Sequence, residues 1–203
     1  ARCQPFIDAD VPIFIDKPLC DNLSDLEIFQ KWIGEGKNFI SSSAMRYCKE
    51  YEPYHLSTHE LGDLRYVNIT MAKSWEKYGI HALETVYPIV GPGFESVQNI
   101  GDKNRNIVHL HHSKGIDINI ANISDMLGGF GLISLMGTKG GIQIKSTDTY
   151  YAFKKQLQSY VNYLQTGHKP VPWNETYELM QLVSAGIESR EKGGIKITLN
   201  KDK

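Results

Sequence analysis

Asp16, Lys17 and Pro18 are the first residues whose types and position could support chemistry. They follow an apolar run, residues 11–15, that predicts a parallel strand. Open α/β sheets bind their ligands beyond the carboxyl ends of such strands, because loops and helix N-termini converge there. Position therefore makes Lys17 a candidate ligand contact, although on spacing alone a solvated loop lysine followed by a turn proline is the commoner case.

Histidines offer proton transfer or metal binding. His81 stands alone in a predicted helix, where an imidazole could act as a base, although a single helical histidine is often structural. Two further groups have ligand-like spacing: His55 with His59, and His109 with His111 and His112. A catalytic zinc site needs three protein ligands that converge, and strand alternation separates the last of these from its two neighbours. We therefore predict no metal site.

Motifs that bind nucleotide phosphates are missing from the 203 residues. A dinucleotide fold carries G-x-G-x-x-G directly after its first strand, where the glycines allow a tight turn. Residues 91–93 and 129–131 supply two of the three glycines, and the first of these segments follows a predicted helix. No Walker loop, G-x-S-x-G or H-E-x-x-H motif is present,.

The first fifty residues predict strand, helix and strand, with the two strands parallel. Residues 11–15 are continuously apolar, as in a strand buried on both faces,. Ser24 and Glu27 have capping-box spacing at the start of a helix,. Residues 38–40 open a second short strand,. This pattern is typical of the end of a doubly wound parallel sheet.

Beyond about residue 60, alternating apolar and polar residues predict an open, mostly antiparallel sheet with one buried face,. The alternation is clearest at residues 116–120, 142–144 and 195–199. Helices on one face of this sheet are predicted at about 75–90, 149–165 and 174–190, the last capped by Asn174,. The fold class is therefore α/β followed by α+β, and we divide the chain into residues 1–48 and 49–203,.

Composition removes several classes of function. The 22 Lys and Arg residues against 23 Asp and Glu residues give a net charge of −1, without the basic surplus of a nucleic-acid binder,. The longest nearly apolar stretch, residues 126–137, is far shorter than the roughly 18–20 residues of a membrane span,. Three cysteines match no disulfide framework, so we expect reduced, buried thiols,. We expect a small-molecule partner, with no nucleic acid and no membrane.

Several segments together resemble the glucose-fructose oxidoreductase and inositol dehydrogenase family (Gfo/Idh/MocA). The run VPIFIDKPL at 11–19 is similar to the family's strand and E/D-K-P motif, and SSSAMRY at 41–47 looks like the strand end that follows. YGIHALE at 78–84 is similar to the family's active-site helix. PWNET at 172–176 and AGIES at 185–189 look like its closing helix. The segments follow the family's order across nearly all of the chain.

The resemblance implies a two-domain oxidoreductase that uses NAD or NADP. Its Rossmann domain would bind the cofactor, and its C-terminal sheet would hold the substrate and often build the oligomer. Residues 1–48 would be the end of the Rossmann domain, with the glycine-rich turn upstream of Ala1. We therefore expect a fragment that is inactive alone and binds the dinucleotide poorly.

The resemblance also implies roles for individual residues. The family's lysine falls on Lys17, where it would contact the nicotinamide ribose and the substrate hydroxyl, and the peptide before Pro18 is commonly cis,. Asp16, Lys17 and Pro18 are thus the predicted cofactor contacts. The family's histidine falls on His81, which would remove the hydroxyl proton while Lys17 favours the developing alkoxide,. The predicted catalytic residues are Lys17 and His81.

One position departs from the family pattern. Many members carry an aspartate four residues before the histidine, one turn below it on the same helix face, where this chain has Lys77,. A lysine there would disfavour a protonated imidazole, and Glu84 could supply a carboxylate instead,. The change leaves open a divergent mechanism or a loss of activity.

Four further residues are candidate substrate contacts: Arg46, Tyr47, Trp75 and Tyr78. Aromatic residues at helical spacing are more often part of a core than of a sugar pocket. We predict a homo-oligomeric, cytoplasmic enzyme that transfers hydride to or from a hydroxyl of a sugar, polyol or related compound. The alternative is a non-catalytic carbohydrate-binding or oligomerisation module of the same family.

Overall fold

The computed structural model describes residues 3–126 and 128–199, so the outermost parts of the two predicted domains, residues 1–2 and 200–203, lie outside the described residues. The described chain forms a two-stranded sheet and a seven-stranded sheet. This confirms the predicted fold class, a short parallel α/β part followed by a mostly antiparallel sheet with helices. The domain boundary after residue 48 stays a prediction.

The N-terminal elements alternate between helix and strand. They are α1 (Gln4–Asp8), β1 (Ile13–Phe14), α2 (Leu23–Gly34) and β2 (Phe39–Ile40). The two strands are parallel, as predicted, and pair Ile13 with Phe39. The predicted five-residue strand is wrong in extent, because Val11 is exposed and Pro12 has no N–H to donate to a neighbour,.

Two helices begin earlier than their predicted caps. The Asn22 side chain accepts a hydrogen bond from the Asp25 N–H at 2.8 Å, so Asn22 and not Ser24 caps α2,. The last helix likewise begins at Trp173, one residue before the predicted cap Asn174. Local side-chain chemistry therefore located both helices but not their first residues.

The larger sheet contains β3 (Leu64–Ala72), β4 (Phe94–Asn99), β5 (Arg105–His112), β6 (Ile116–Ile123), β7 (Leu132–Gly137), β8 (Gly141–Lys145) and β9 (Ile197–Thr198). Its strand order is β8-β7-β3-β6-β5-β4-β9. Among the described strands, β3 and β6 run parallel and the other neighbours run antiparallel.

Two helices pack on one face of this sheet, and a third packs mainly on residues 44–47, contrary to the predicted sheet-covering helix at about 149–165. A π-helical turn (Trp75–Gly79) and α3 (Ile80–Val90) follow β3, and α4 (Thr149–Thr166) and α5 (Trp173–Glu191) follow β8. α3 packs against β3, and α5 packs against β4. None of the helices within the described ranges is both long and apolar enough to cross a bilayer.

The two faces of the sheet match the alternation in the sequence. Val67 and Ile118 have no exposed surface on the helix side. Tyr66, Asp117 and Gln143 are exposed on the opposite side. A strand with this pattern buries every second residue, so the helices lie over the apolar face and leave the polar face uncovered.

The short parallel sheet packs beside the start of α3. β2 leads through three buried serines into a 3₁₀ turn (Ala44–Tyr47) that contacts α3 and α4. The Phe39 ring lies 5.7 Å from the Trp173 ring, which fixes β2 against α5. The carboxyl ends of β1 and β2 therefore lie beside the residues that begin α3.

Candidate active site

A fully buried tryptophan holds the segment that presents the site. Trp75 lies between Gly79 and Gly186, and its Nε1 donates a hydrogen bond to the Val183 carbonyl at 2.9 Å. A Cβ at Gly79 or Gly186 would lie 2.6 Å or 2.5 Å from the indole, so the packing requires glycine at both positions. Trp75, a predicted substrate contact, is enclosed by helices and is not among the residues that line the cavity described below.

Lys73 lies where the chain leaves β3 and turns toward α3. Its φ of +63° is in the left-handed region, which a residue with a Cβ seldom adopts,. Its Nζ donates a hydrogen bond to Tyr78 Oη at 2.9 Å and lies 4.5 Å from the centre of the Tyr78 ring. This turn therefore places an ammonium group directly on the half-buried Tyr78.

The loop after β1 reaches the same tyrosine. Lys17 Nζ lies 4.4 Å from the centre of the Tyr78 ring, at cation–π distance, and donates a hydrogen bond of 3.4 Å to the Lys77 carbonyl,. The Lys17–Pro18 peptide bond is cis, as the resemblance implied. Asp16, beside it, has an exposed side chain. Residues from the two sheets thus meet at Tyr78.

His81 is the second residue of α3, and only 8% of its surface is exposed. Its Nδ1 lies 2.6 Å from Ser43 Oγ, and its ring packs edge-on against Tyr78 with 4.8 Å between centroids. Burial, reinforced by the charges of Lys17 and Lys73, lowers the pKa of His81 to about 3,. The imidazole is therefore uncharged at neutral pH.

Tyr78, His81 and Lys73 line a cavity of about 370 Å³. The remaining lining is mostly apolar and comes from Ala44, Met45, Cys48, Ala72, Phe130, Ser146, Thr149, Ala152 and Phe153. Burial raises the pKa of Cys48 to about 11, so this wall carries a thiol and not a thiolate,. A cavity of this size with a few ionisable groups suits a small organic ligand.

Arg46 belongs to a buried ion-pair network. Its Nε donates to Glu84, and its Nη1 donates to Glu175 at 2.9 Å. Burial opposes the charge, but the Glu84 carboxylate raises the pKa of Arg46 above its ordinary value,. Arg46 therefore joins the 3₁₀ turn after β2 to α3 and α5, and this predicted substrate contact is not among the residues that line the cavity. Glu84 is held by Arg46, so it does not orient His81.

Two other predicted residues also lie away from the cavity lining. Tyr47 Oη is 3.4 Å from Ser159 Oγ on α4. The Lys77 side chain is exposed, and the charges that lower the pKa of His81 are those of Lys17 and Lys73. Lys77 is thus exposed in the π-helical turn, whereas His81 is buried, so no effect of the Lys77 charge on the imidazole is seen.

No metal-binding group of three or more His, Cys, Asp or Glu side chains occurs in the described ranges. His109 Nε2 and His111 Nδ1 lie 2.9 Å and 3.1 Å from the same Asp117 oxygen, on the uncovered sheet face. His112 is buried, with its Nε2 3.0 Å from the Pro92 carbonyl. These three histidines therefore contact other protein groups, and they are not among the residues that line the cavity.

Lys73 and Ser43 are site residues that the sequence reasoning did not single out. Lys73 follows the last residue of β3, and Ser43 ends the serine run after β2. Both occupy strand-end positions, the same signal that singles out Lys17. Ser43 follows a strand that the sequence predicts, at residues 38–40, whereas Lys73 follows β3, for which no strand was predicted.

The chain has the fold of several solved dehydrogenases, although no protein-family model and no curated protein matches its sequence. A myo-inositol dehydrogenase from Corynebacterium glutamicum aligns with a TM-score of 0.81 at 18% identity, covering 98% of this chain and 76% of that one. An oxidoreductase from Agrobacterium radiobacter, solved with NAD+, L-tartaric acid and magnesium, aligns at 0.79 and 14% identity, covering 95% and 74%.

A third similar structure is a myo-inositol dehydrogenase from Lactobacillus casei, solved with NAD(H) and myo-inositol. It aligns with a TM-score of 0.78 at 16% identity, covering 97% of this chain and 73% of that one. The chain thus matches about three quarters of each structure's length. Together these structures confirm the resemblance to Gfo/Idh/MocA oxidoreductases at the level of the fold.

Proposed function

We propose that this chain carries the catalytic residues of an oxidoreductase that transfers hydride between NAD and a hydroxyl group of a small molecule. The observation that carries the proposal is the meeting of Lys17, from the parallel sheet, with Tyr78 and His81, beside one cavity. Oxidation of a hydroxyl needs a cation near the oxygen and a group that exchanges its proton. Similar structures solved with NAD support this class of cofactor.

The residues beside the cavity fit the nicotinamide end of such a cofactor. Lys17, flanked by Asp16 and Pro18 at the end of a parallel strand, offers N–H donors for a ribose hydroxyl,. Tyr78 and Phe130 supply flat aromatic surfaces at the cavity. A bound nicotinamide would supply the hydride acceptor or donor. The fit concerns this end of the cofactor, since the 203 residues encode no glycine-rich phosphate turn.

Negative charge develops on the substrate oxygen as hydride leaves the adjacent carbon. The Lys17 ammonium group stabilises that charge, an effect that is larger in a site from which water is excluded. His81, held through Nδ1 by Ser43, orients the oxygen by a hydrogen bond from its uncharged ring. Apolar neighbours such as Met45 limit the entry of water,.

The finer parts of the proposal concern substrate, cofactor and assembly. We expect a sugar, polyol or related hydroxyl compound as substrate, NAD or NADP as cofactor, and a cytoplasmic location. We also expect a homo-oligomer through the uncovered face of the seven-stranded sheet, with an isologous dimer as the simplest closed form,. Light scattering tests the assembly, and the mass of a single chain at micromolar concentration would contradict it.

The test of function compares Lys17→Met with Lys31→Met in the full-length protein. Lys31 lies on α2 with 74% of its side chain exposed, so its replacement controls for the loss of one charge. We expect Lys17→Met to lower kcat by roughly 10²–10³, as for removal of one group that stabilises an oxyanion. The absorbance of reduced nicotinamide measures turnover on a panel of sugars and polyols.

Two outcomes would count against different parts of the proposal, the role of Lys17 and hydride transfer itself. Wild-type turnover in Lys17→Met would show that the ammonium group does not act on the reacting oxygen. Binding of a carbohydrate without any NAD- or NADP-dependent turnover would favour the non-catalytic module.

A further inference from the structure

We infer that Tyr78, rather than His81, exchanges the proton with the substrate oxygen, and that Lys73 is its positioning residue; this rests on the proposed function. In oxidation, the substrate O–H bond breaks and its proton goes to the phenolate oxygen of Tyr78. The adjacent C–H bond breaks, hydride leaves with two electrons for the oxidised nicotinamide, and the C=O bond forms. The phenol then releases its proton to solvent, and reduction runs through the same steps in reverse.

Two ammonium groups contact Tyr78. Lys73 Nζ donates to the phenol oxygen at 2.9 Å, and Lys17 Nζ lies 4.4 Å from the ring centre. The two lysines come from different elements, the end of β3 and the loop after β1. Lys73 reaches the phenol through a left-handed backbone conformation, and such unfavourable conformations concentrate at functional sites,. This arrangement favours a phenolate over a phenol.

The charges around Tyr78 act mainly in one direction. The hydrogen bond from Lys73 lowers the pKa of the Tyr78 phenol below its ordinary value, and the charges of Lys73 and Lys17 add to this,. Partial burial and the charge of Asp16 oppose them, and the adjacent His81 ring is uncharged at neutral pH. The pKa of Tyr78 therefore moves toward the physiological range, where a general base is most effective.

The contacts of His81 leave Nε2 as a hydrogen-bond donor toward the substrate, because Nδ1 accepts from Ser43. Ser43 Oγ accepts the Met45 N–H at 3.0 Å and lies 2.6 Å from His81 Nδ1, and Ser43 is fully buried. Within the described part of the chain, Nδ1 is the acceptor in reach of the Ser43 hydroxyl proton, so Ser43 donates to it. The proton of the neutral imidazole then lies on Nε2, and the ring can donate a hydrogen bond to the substrate oxygen.

A proton added to His81 would place a third positive charge beside Lys17 and Lys73. Burial and these two charges lower the pKa of His81 to about 3, too low for an effective base at neutral pH,. The same two lysines stabilise the ionised form of Tyr78. The two neighbouring rings, with centroids 4.8 Å apart, thus have different roles: His81 donates a hydrogen bond and Tyr78 accepts the proton.

Carbon NMR of the protein labelled at tyrosine Cζ measures the ionisation of Tyr78 without turnover. Tyr78→Phe identifies the signal by its loss, and Tyr66→Phe, on the uncovered sheet face, is the matched control. We expect Tyr78 to ionise first among the 11 tyrosines, and Lys73→Met to raise its pKa. Ionisation of Tyr78 together with the exposed tyrosines, or no change in Lys73→Met, would overturn the inference.

The pH dependence of kcat/KM for alcohol oxidation by the full-length protein is the second readout. We expect the rate to rise with pH up to the pKa of Tyr78, and Lys73→Met to move this limb upward by the amount seen by NMR. Tyr78→Phe should lower kcat by about 10²–10⁴, while Tyr66→Phe leaves it unchanged. A pH limb that survives in Tyr78→Phe would overturn the inference.

The two proposals fail in distinguishable ways. No nicotinamide-dependent turnover by the wild-type protein would contradict the proposed function, and the inference with it. Late ionisation of Tyr78 in a protein that turns over normally would overturn only the assignment of the proton acceptor.

Discussion

Replacement of Gly186 by alanine should test how the π-helical turn is held in place. Trp75 begins this turn and is fully buried. A Cβ at Gly186 would lie 2.5 Å from the indole Nε1 and 2.7 Å from Cε2. The ring has no free space to move into, because a Cβ on Gly79 would also lie within 2.6 Å of it. The hydrogen bond from Nε1 to the Val183 carbonyl holds it further.

The expected change is the difference between two effects. Overpacking a core costs about 1–3 kcal/mol, and strain on the Trp75 hydrogen bond adds about 1 kcal/mol. Alanine in place of a helical glycine contributes about 0.5–1 kcal/mol in the opposite direction. We therefore expect Gly186→Ala to lower the free energy of unfolding by about 1–3 kcal/mol.

Gly34 provides the matched control. It is the last residue of α2, and a Cβ there would meet nothing within 4 Å. Gly34→Ala should be neutral or stabilising by up to about 1 kcal/mol. Urea unfolding of both variants, with equal slopes, measures the difference. Trp75→Phe in the Gly186→Ala background removes the nearest ring atom and should recover part of the loss.

The result that would refute this reasoning is a Gly186→Ala protein as stable as Gly34→Ala. Such a result would mean that the indole can shift without cost. A second consequence is local: because Trp75 and Tyr78 share the π turn, Gly186→Ala should also shift the Tyr78 signal in the NMR experiment. An unchanged Tyr78 signal would show that the packing around Trp75 does not affect the environment of Tyr78.

Three further results are expected. Arg46→Met leaves the buried Glu84 without its main partner, so it should lower the free energy of unfolding by about 3–5 kcal/mol, measured in urea,. The double variant Arg46→Met/Glu84→Leu should recover part of this loss. A single variant as stable as the wild type would contradict this reasoning. His81→Gln should reduce the loss of unfolding free energy that the wild-type protein shows as the pH falls. The pKa of His81 falls from 6.5 to about 3 on folding, so the unfolded chain binds a proton that the folded protein does not, and stability falls as pH falls between those values,. His81 contributes at most about 1.4 kcal/mol per pH unit to the slope of unfolding free energy against pH. Equal slopes in the wild type and the variant would refute the lowered pKa of His81. Iodoacetamide should alkylate Cys48 slowly at pH 8, because burial raises the pKa of its thiol to about 11,. Peptide mass spectrometry measures the labelling rate, and a rate equal to that of a free thiol would contradict this prediction.

Much of the fold was predictable because periodicity records which face of an element is buried. Alternation at residues 116–120 and 142–144 predicted strands that became β6 and β8. Helical spacing placed the last two helices within a residue of α4 and α5. Helix starts were less predictable, since several polar residues near each start can cap it and the surrounding packing selects one, as at Asn22,.

The sequence by itself determined the fold class, the strand-end position of Lys17 and the helical position of His81, because these depend on neighbours close in the chain. Only the tertiary structure decided which side chains share a cavity. Ser43 meets His81 and Lys17 meets Tyr78 through packing between segments that no local pattern links. Lys77 is exposed while His81 is buried, and Arg46 pairs with Glu84 and Glu175. The physical reason is that local periodicity indicates whether a side chain is buried, whereas the side chains that it contacts depend on how distant elements pack.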